Sequence, residues 1–275
     1  MRLLLDAGNS TVSAALANGT ALVRTARLPI ARSAADATLQ AALDEVFGRD
    51  GIAWSALDAI GLASVVPTAS VAVAALAARM GARLVVAEPD TVPLPVRVAH
   101  PEQVGPDRLV NALAAARLHG TPAIVVDVGT ATTWECVDAD GAFVGGAIAP
   151  GLLMSLAALA ERTSLLPRVA ATPAGRAIGT DTIEAIRSGT VLGHRELVEG
   201  LTRRIRAELA DTSSVAAGDV RTILTGGLAA TAWGETLQGF DVRDPDLTLR
   251  GLALVVEQAL GSRGIRRAEP ARSGG

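Results

Sequence analysis

Short apolar runs alternate with stretches of helical periodicity along the whole chain. An apolar run bounded by turn formers predicts a strand, and apolar residues recurring with the period of a helix predict a helix. Asn18-Gly19 and Asp140-Gly141 each predict the tip of a hairpin. Strands are predicted at 2–6, 59–66, 82–88, 123–127 and 220–227, and helices at 35–51 (closed by Gly51), 71–81, 107–120, 151–166, 180–209 and 251–261.

One short phrase occurs twice, each time directly after a predicted strand. Residues 6–11 read Asp-Ala-Gly-Asn-Ser-Thr, and residues 127–133 read Asp-Val-Gly-Thr-Ala-Thr-Thr. A Gly lets the backbone come close to a ligand, and the N–H and hydroxyl groups after it can cradle phosphate oxygens. An Asp at a strand end can hold a metal ion or a metal-bound water. The two copies predict two similar lobes that face each other across one nucleotide, as phosphoryl transfer requires.

The order of elements after each copy, three strands and then a helix, indicates a duplication. With 275 residues, of which 49% are hydrophobic, the chain can bury the cores of two packed lobes. We predict an α/β fold in which each lobe is a mixed sheet flanked by helices. The N-terminal lobe is placed at 1–117 and the C-terminal lobe at 118–275, with a disordered tail from about 268.

Composition excludes several classes of function. The net charge of −3 and an aromatic content of 2% without any Tyr argue against nucleic acid and membrane partners. The apolar stretches at 59–78 and 142–160 are interrupted by proline, and no signal peptide precedes the first strand, so we expect neither a membrane span nor export. The single Cys136 excludes an internal disulfide and fits the reducing cytoplasm.

All 25 basic residues are Arg, because the chain contains no Lys. Base-composition bias is the ordinary explanation, but the chemistry is constrained as well. Neither a Walker-type lysine loop nor a lysine Schiff base can form.

Two further segments are candidates for substrate contacts. Gly105-Pro106-Asp107-Arg108 opens a predicted helix, whose N-terminus attracts anions. Arg108 offers a bidentate fork for a carboxylate or phosphate, and Asp107 could accept a proton from an attacking hydroxyl. A capping Asp beside a solvent-facing Arg is the ordinary alternative. The Gly-rich segment 145–151 could line a pocket or merely connect a hairpin to a helix.

Weaker signals come from a turn and from the histidines. Thr225-Gly226-Gly227 is typical of a turn that packs against an adenine ring. His100, His119 and His194 lack the spacing of metal ligands, and we interpret them as ordinary surface or capping residues.

Taken together, these segments resemble the type III pantothenate kinases of the acetate and sugar kinase/actin superfamily. The resemblance runs over nearly the whole chain, and it is the ordered set rather than any single motif that is specific. It is carried by residues 6–10, Ser64-Val65-Val66-Pro67, 105–108, 127–133, Gly145-Gly146-x-Ile148-x-Pro150-Gly151 with Met154-Ser155, and Gly179-x-x-Thr182-x-x-Ala185-Ile186-x-Ser188-Gly189.

The resemblance implies a duplicated two-lobed actin-like, ribonuclease H-like fold. It further implies ATP-dependent phosphorylation of the terminal (4′) hydroxyl of pantothenate, the first step of coenzyme A biosynthesis, by a homodimer that uses Mg²⁺ and a monovalent cation, K⁺ or NH₄⁺. The implied roles are general base for Asp107; pantothenate binding for Gly105, Pro106, Asp107, Arg108 and Thr182; ATP binding for Asp6, Ala7, Gly8, Asn9, Ser10, Thr11, Val12, Ser13 and Thr130; monovalent cation binding for Asp127; and Mg²⁺ binding, directly or through water, for Asp6.

The chain departs from the family pattern at three positions. Ser13 stands where the family commonly has Lys, so any cation near the phosphates would have to come from an Arg elsewhere. Val98 stands where a Tyr is frequent, and Glu135 where an Asp is common. These positions bear on the binding of ATP and pantothenate rather than on the fold.

Two other functions are compatible with the same residues. One is a nucleotide-binding regulatory protein that kept the fold without the chemistry, although such a protein would have no use for Asp107 as a base. The other is a kinase of this superfamily that acts on a different small hydroxylated acid.

Overall fold

The structure is a computed structural model that describes residues 1–29, 36–48 and 54–261. Five strands of the N-terminal half form one mixed sheet in the order β3-β2-β1-β4-β5. Strands β1 to β3 are an antiparallel meander, whereas β4 and β5 run parallel to β1. Their bounds are β1 Arg2–Ala7, β2 Thr11–Asn18, β3 Ala21–Pro29, β4 Ala59–Ser64 and β5 Arg83–Val86.

A second sheet repeats this topology in the order β10-β9-β6-β7-β8. Again three antiparallel strands are followed by two strands parallel to the first. Both predicted hairpins, Asn18-Gly19 and Asp140-Gly141, connect neighbouring strands. The bounds are β6 Ala123–Val128, β7 Ala131–Val137, β8 Phe143–Pro150, β9 Arg221–Thr225 and β10 Val242–Arg243. The predicted duplicated two-lobed α/β architecture is confirmed.

Helices cover the sheets at bounds that differ in part from the prediction. The helix predicted from 71 begins at Pro67, because proline is favoured at the first helical position. The helix predicted over 180–209 is divided by a π-helical turn at 187–192. Gly51 and the predicted tail from about 268 lie outside the described residues. The helices are α1 Asp36–Phe47, α2 Pro67–Met80, α3 Pro106–Ala114, α4 Leu152–Arg162, α5 Thr182–Ile186, α6 Gly193–Thr212, α7 Ala232–Glu235 and α8 Leu247–Gly261.

The first strand of each sheet is buried on both faces, which explains its continuous apolar sequence. Leu3 and Leu5 pack in the cluster with α1 and α2, which we call the outer cluster. Leu4 faces the opposite way, into a cluster that contains α3, α8 and residues of both sheets, which we call the interlobe cluster. Val125 of β6 faces the same interlobe cluster as Leu4. Because side chains alternate along a strand, Asp6 and Asp127 point to the same side as Leu4 and Val125. Both aspartates of the repeated phrase therefore face the space between the lobes.

Helices α3 and α8 fill the interlobe space. Helix α8 packs on strands β1 to β5, and α3 packs on α8 and on strands of both sheets. A Cβ at Gly251 of α8 would lie 2.2 Å from the carbonyl oxygen of Val110, so this glycine permits the close approach of the two helices. The lobe boundary at 117/118 stays a prediction.

Among residues 1–29, 36–48 and 54–261, no helix combines the length and the apolar character that a membrane span requires.

Candidate active site

The two copies of the repeated phrase form similar turns that meet across the lobes. The Gly8 N–H donates to Thr11 O, and the Gly129 N–H donates to Ala131 O, both at 3.0 Å. The hydroxyls of Ser10 and Thr130 lie 3.0 Å apart and share a hydrogen bond. The structure thus brings together one predicted ATP-binding residue from each lobe.

Three carboxylates lie near one another beneath these turns; we refer to Asp6, Asp107 and Asp127 as the carboxylate site. Burial, together with the negative charges of Asp107 and Asp127, raises the pKa of Asp6 to about 8. Burial and the charge of Asp107 raise the pKa of Asp127 to about 6. Burial also raises the pKa of Asp107 itself. Carboxylates whose charges are mutually unfavourable form a site that a cation would stabilise.

Asp127 is held by two residues that the sequence analysis missed. Asn111 Nδ2 donates to Asp127 Oδ2 at 3.2 Å, and Thr248 Oγ1 of α8 donates to Asn111 Oδ1 at 2.7 Å. Asn111 is only 1% exposed. An Asn four residues after Asp107, and therefore on the same face of α3, was the one available signal.

Arg108 is fixed by contacts on several sides and does not face solvent freely. Its Nε donates to Glu135 Oε1 at 3.1 Å, and its Nη2 donates to the carbonyl oxygen of Trp134 at 3.0 Å. Its guanidinium carbon lies 5.5 Å from the centroid of the Phe143 ring. Gly146 makes room for this arrangement, because a Cβ there would lie 1.7 Å from Trp134 O. The ordinary interpretation of Arg108 as a surface residue is wrong.

Asp107 lies in the first turn of α3, and the N-cap residue is Gly105. Asp107 Oδ1 accepts the N–H of Arg108, which is also in the first turn, at 3.0 Å. The interpretation of Asp107 as a residue that satisfies the helix N-terminus is therefore correct in part. Pro106 occupies the first turn of the helix, where its missing N–H costs nothing.

Glu135, one of the three departures, is the buried partner of Arg108. Its side chain is fully buried, and burial raises its pKa to about 8 although the charge of Arg108 opposes the rise. Its second oxygen, Oε2, has no hydrogen-bond partner among the residues that the structure describes. The longer Glu side chain thus positions the guanidinium of Arg108.

The glycine-rich segments support the second turn. The Gly151 N–H donates to Thr130 O at 3.1 Å. Gly226 has a φ of +98°, and a Cβ at this residue would lie 2.3 Å from Asp127 Oδ1.

Next to Gly226-Gly227, a cavity of about 310 Å³ is lined by Leu224, Ala229, Ala230, Glu235, Arg243 and Pro245. That the turn at 225–227 lies beside a nucleotide base stays a prediction.

The remaining candidate residues differ in position. Ala7 and Val12 are buried in β1 and β2, whereas Asn9 and Thr11 are exposed in the first turn. Thr182 opens α5 and is exposed, and its hydroxyl makes no hydrogen bond within the described part of the chain. Val98 packs against the interlobe cluster, with Cγ1 3.8 Å from the position of a Cβ on Gly145.

The interpretation of His194 as a surface or capping residue is wrong. His194 is 6% exposed, and its Nε2 lies 2.9 Å from the hydroxyl of Thr132. Its ring also contacts Trp233, with centroids 5.5 Å apart. His194 therefore supports the strand that leaves the second turn, a role that depends on the tertiary packing of α6.

No three Asp, Glu, His or Cys side chains within the described ranges converge tightly enough to hold a metal ion by themselves. Mg²⁺ usually keeps several waters and needs only one or two carboxylates when substrate phosphates are also present. The carboxylate site fits that mode of binding.

Comparison with known proteins identifies the family. A family model described as type III pantothenate kinase matches residues 2–204. The chain belongs to this family. Type III pantothenate kinases from Thermomicrobium roseum (40% identical over 260 residues, 94% of this chain and 97% of the relative) and Caulobacter vibrioides (39% over 261 residues, 92% and 95%) align along nearly the whole chain.

A solved structure of a Baf family transcriptional activator from Campylobacter jejuni has the same fold. Its TM-score is 0.56, and the match covers 94% of this chain and 99% of that chain at 17% identity. At this identity the likeness shows the fold alone.

The family model and the two relatives confirm that the ordered motifs identified the type III pantothenate kinase family.

The buried Glu135 predicts a pH-dependent stability. Its pKa is about 8 in the folded protein and 4.5 as the ordinary value, so the folded state keeps a proton that the unfolded state loses between these pH values. Stability should therefore fall as pH rises through this window. In Glu135→Gln, which can still accept the Arg108 hydrogen bond, the fall should be smaller. Ionisation of Glu135 between pH 5 and pH 8 corresponds to a loss of about 3–4 kcal/mol, so we expect the Tm of the wild type to fall by about 6–10 °C relative to that of the variant over this range.

Thermal unfolding followed by circular dichroism measures this difference. Glu161→Gln, at an exposed surface ion pair, is the matched control and should follow the wild type. Parallel pH profiles for Glu135→Gln and wild type would show that Glu135 is ionised in the folded protein throughout.

Proposed function

We propose that the protein phosphorylates the terminal (4′) hydroxyl of pantothenate with ATP, the first step of coenzyme A biosynthesis, in the cytoplasm. Family membership supports the reaction. The observation that carries the proposal is the convergence on one interlobe site of both repeated turns, joined through Ser10 and Thr130, with Asp107 and Arg108.

The nucleotide is assigned to the turns and to the neighbouring cavity. In the first turn, from Gly8 to Ser13, the hydroxyl groups and those backbone N–H groups that the chain does not itself engage would hold the phosphates together with the hydroxyl of Thr130. The base would occupy the cavity beside Gly226-Gly227. This places the phosphate groups above the carboxylate site.

Two cations belong to the proposal. Asp6 would hold Mg²⁺, directly or through water, and Asp127 would hold K⁺ or NH₄⁺. Burial, together with the neighbouring carboxylates, raises the pKa values of Asp6 and Asp127. A bound cation would offset both effects, which supports this assignment. Such ions would neutralise the negative charge that develops during phosphoryl transfer.

Asp107 is assigned as the general base. The hydroxyl oxygen of pantothenate forms a bond to the γ-phosphorus as the bond from phosphorus to the bridging oxygen breaks, and ADP leaves. The hydroxyl proton passes to the Asp107 carboxylate. Burial raises the pKa of Asp107, which makes its carboxylate a stronger base at neutral pH.

Arg108 is assigned to the carboxylate of pantothenate. Glu135 and Trp134 engage Nε and Nη2, so the Nη1 donors remain available within the described part of the chain. A fork fixed in this way loses little conformational entropy when it binds an anion. The same site argues against a regulatory protein without chemistry, because Asp107 and Arg108 are both held in place.

A homodimer is also proposed. Exposed apolar side chains follow one another along the sequence on the edge strand β8, on α4 and in the segment that leads to α5. Ile148 is 66% exposed and Ile178 is 81% exposed. A second copy of the chain would cover such residues. Thr182 lies in the same region and stays a proposed substrate contact. The other exposed members are Leu153, Met154, Leu165 and Ile183.

The test is formation of phosphopantothenate from ATP, Mg²⁺ and pantothenate, with K⁺ or NH₄⁺ compared with Na⁺. We expect turnover that needs K⁺ or NH₄⁺, and light scattering on the same sample should give the mass of two chains. A panel of other small hydroxylated acids serves as the control for substrate identity. Absence of turnover with pantothenate in a folded dimer, or faster turnover of another acid, would contradict the proposal.

A further inference from the structure

A single row of side chains crosses the N-terminal sheet at the carboxylate site. Asp6 of β1 is paired with Ser13 of β2, and Ser13 is paired with Arg27 of β3. Residues paired directly across strands lie on the same face of a sheet. Ala26 and Leu28, the neighbours of Arg27, pack in the outer cluster with α1 and α2, so Arg27 faces the interlobe side, as Asp6 does.

The guanidinium of Arg27 reaches the C-terminal lobe at the proposed nucleotide site. Its Nη2 donates to the carbonyl oxygen of Pro245 at 3.0 Å, and its Nη1 lies 3.5 Å from the position of a Cβ on Gly227. Pro245 lines the cavity beside the turn at 225–227. Arg27 therefore stands between the base cavity and the carboxylate site.

The charge of Arg27 acts on both lobes. It lowers the pKa of Asp6 and also that of Asp127, in opposition to the burial that raises both. Arg108, by contrast, is engaged by Glu135 and Trp134. Within the described part of the chain, Arg27 is thus the basic residue whose charge acts on both Asp6 and Asp127.

We propose that Arg27 binds the phosphate groups of ATP and supplies the fixed positive charge that no lysine can supply in this chain. A guanidinium has five N–H donors, and the carbonyl of Pro245 uses one of them, so the others can reach phosphate oxygens. Ser13, a small residue, stands between Arg27 and Asp6 in this row. The inference rests on the proposed function only in taking ATP as the nucleotide.

The first variant is Arg27→Gln. We expect the KM for ATP, and the Kd for MgADP measured by calorimetry, to rise about ten- to hundredfold, the size of one or two charge-assisted hydrogen bonds. The KM for pantothenate should change less than about twofold. Arg27→Lys, which keeps the charge without the fork, should fall between the variant and the wild type.

Two further variants separate phosphate binding from structural roles. Ser13→Lys combined with Arg27→Gln restores a cation in the same row of side chains, and we expect it to recover part of the affinity for MgADP. A lysine at position 13 would not replace the hydrogen bond to Pro245, so recovery identifies charge near the phosphates. Arg24→Gln removes the same charge from β3 at the position paired with Leu16 and should bind MgADP as the wild type does.

Unchanged MgADP affinity in Arg27→Gln would overturn the inference. So would a protein with Ser13→Lys and Arg27→Gln that binds MgADP no better than Arg27→Gln, because that result assigns Arg27 to joining the lobes through Pro245. If the wild type binds MgADP but makes no phosphopantothenate, the proposed function fails while the calorimetry on Arg27 still decides this inference.

Discussion

Replacement of Asp107 by Asn is expected to lower kcat for pantothenate phosphorylation by about 10²–10⁴-fold, the usual contribution of a general base. Asn keeps the size of the side chain and can still accept the hydrogen bond from the Arg108 N–H. It cannot accept the substrate proton at the moment of attack. Steady-state kinetics with saturating ATP measures the effect directly.

The affinity of Asp107→Asn for nucleotide should not fall together with its kcat. Asp107 contributes to the raised pKa values of Asp6 and Asp127, so its removal takes one negative charge away from the place where phosphates bind. We expect the affinity for MgATP to be equal to that of the wild type or higher. Asp219→Asn, an exposed Asp far along the chain, is the control. A variant of Asp107 that keeps more than about a tenth of the wild-type kcat would exclude Asp107 as the base.

Gly226→Ala is expected to damage both stability and activity. Gly226 has a φ of +98°, and the added Cβ would lie 2.3 Å from Asp127 Oδ1 and 2.6 Å from the backbone nitrogen of Val128. Backbone atoms cannot give way as a flexible side chain can. We expect a loss of about 2–4 kcal/mol in the free energy of unfolding, measured by urea denaturation.

Displacement of Asp127 should also reduce the activation by K⁺ or NH₄⁺ in the folded fraction of this variant. The neighbouring residue provides the matched control, because among the described residues a Cβ at Gly227 would come within 4 Å of Arg27 Nη1 alone, at 3.5 Å. Gly227→Ala should lose less than about 1 kcal/mol. Equal losses in the two variants would show that the backbone at Gly226 is not constrained by Asp127.

The repeated turns could be predicted from the sequence because their signals are local. Each consists of a buried strand, an Asp at its end and a Gly, and these determine the turn without reference to the rest of the fold. The contact between Ser10 and Thr130 is different in kind, since it depends on how two distant lobes pack. Resemblance to a family, rather than periodicity, supplied the expectation that both bind ATP.

Other features depended on tertiary structure that no local pattern encodes. Asn111 looks like an ordinary helical residue until Thr248 of α8 is placed beside it. Arg27 stands in an exposed hairpin strand, and only the strand register shows that it shares a row with Asp6. The burial of His194 against Trp233 could not be predicted, because a lone His in a sequence carries no signal for it.

The packing of helix α3 against α8 links three of the proposed site residues. Asp107, Arg108 and Asn111 lie within little more than one turn of a nine-residue helix whose inner face is locked against α8. The proposed proton acceptor, the proposed anion fork and the support of Asp127 therefore keep fixed positions relative to one another. A shift of α3 against α8 would move all three groups together, so the packing of this helix cannot adjust one of them alone.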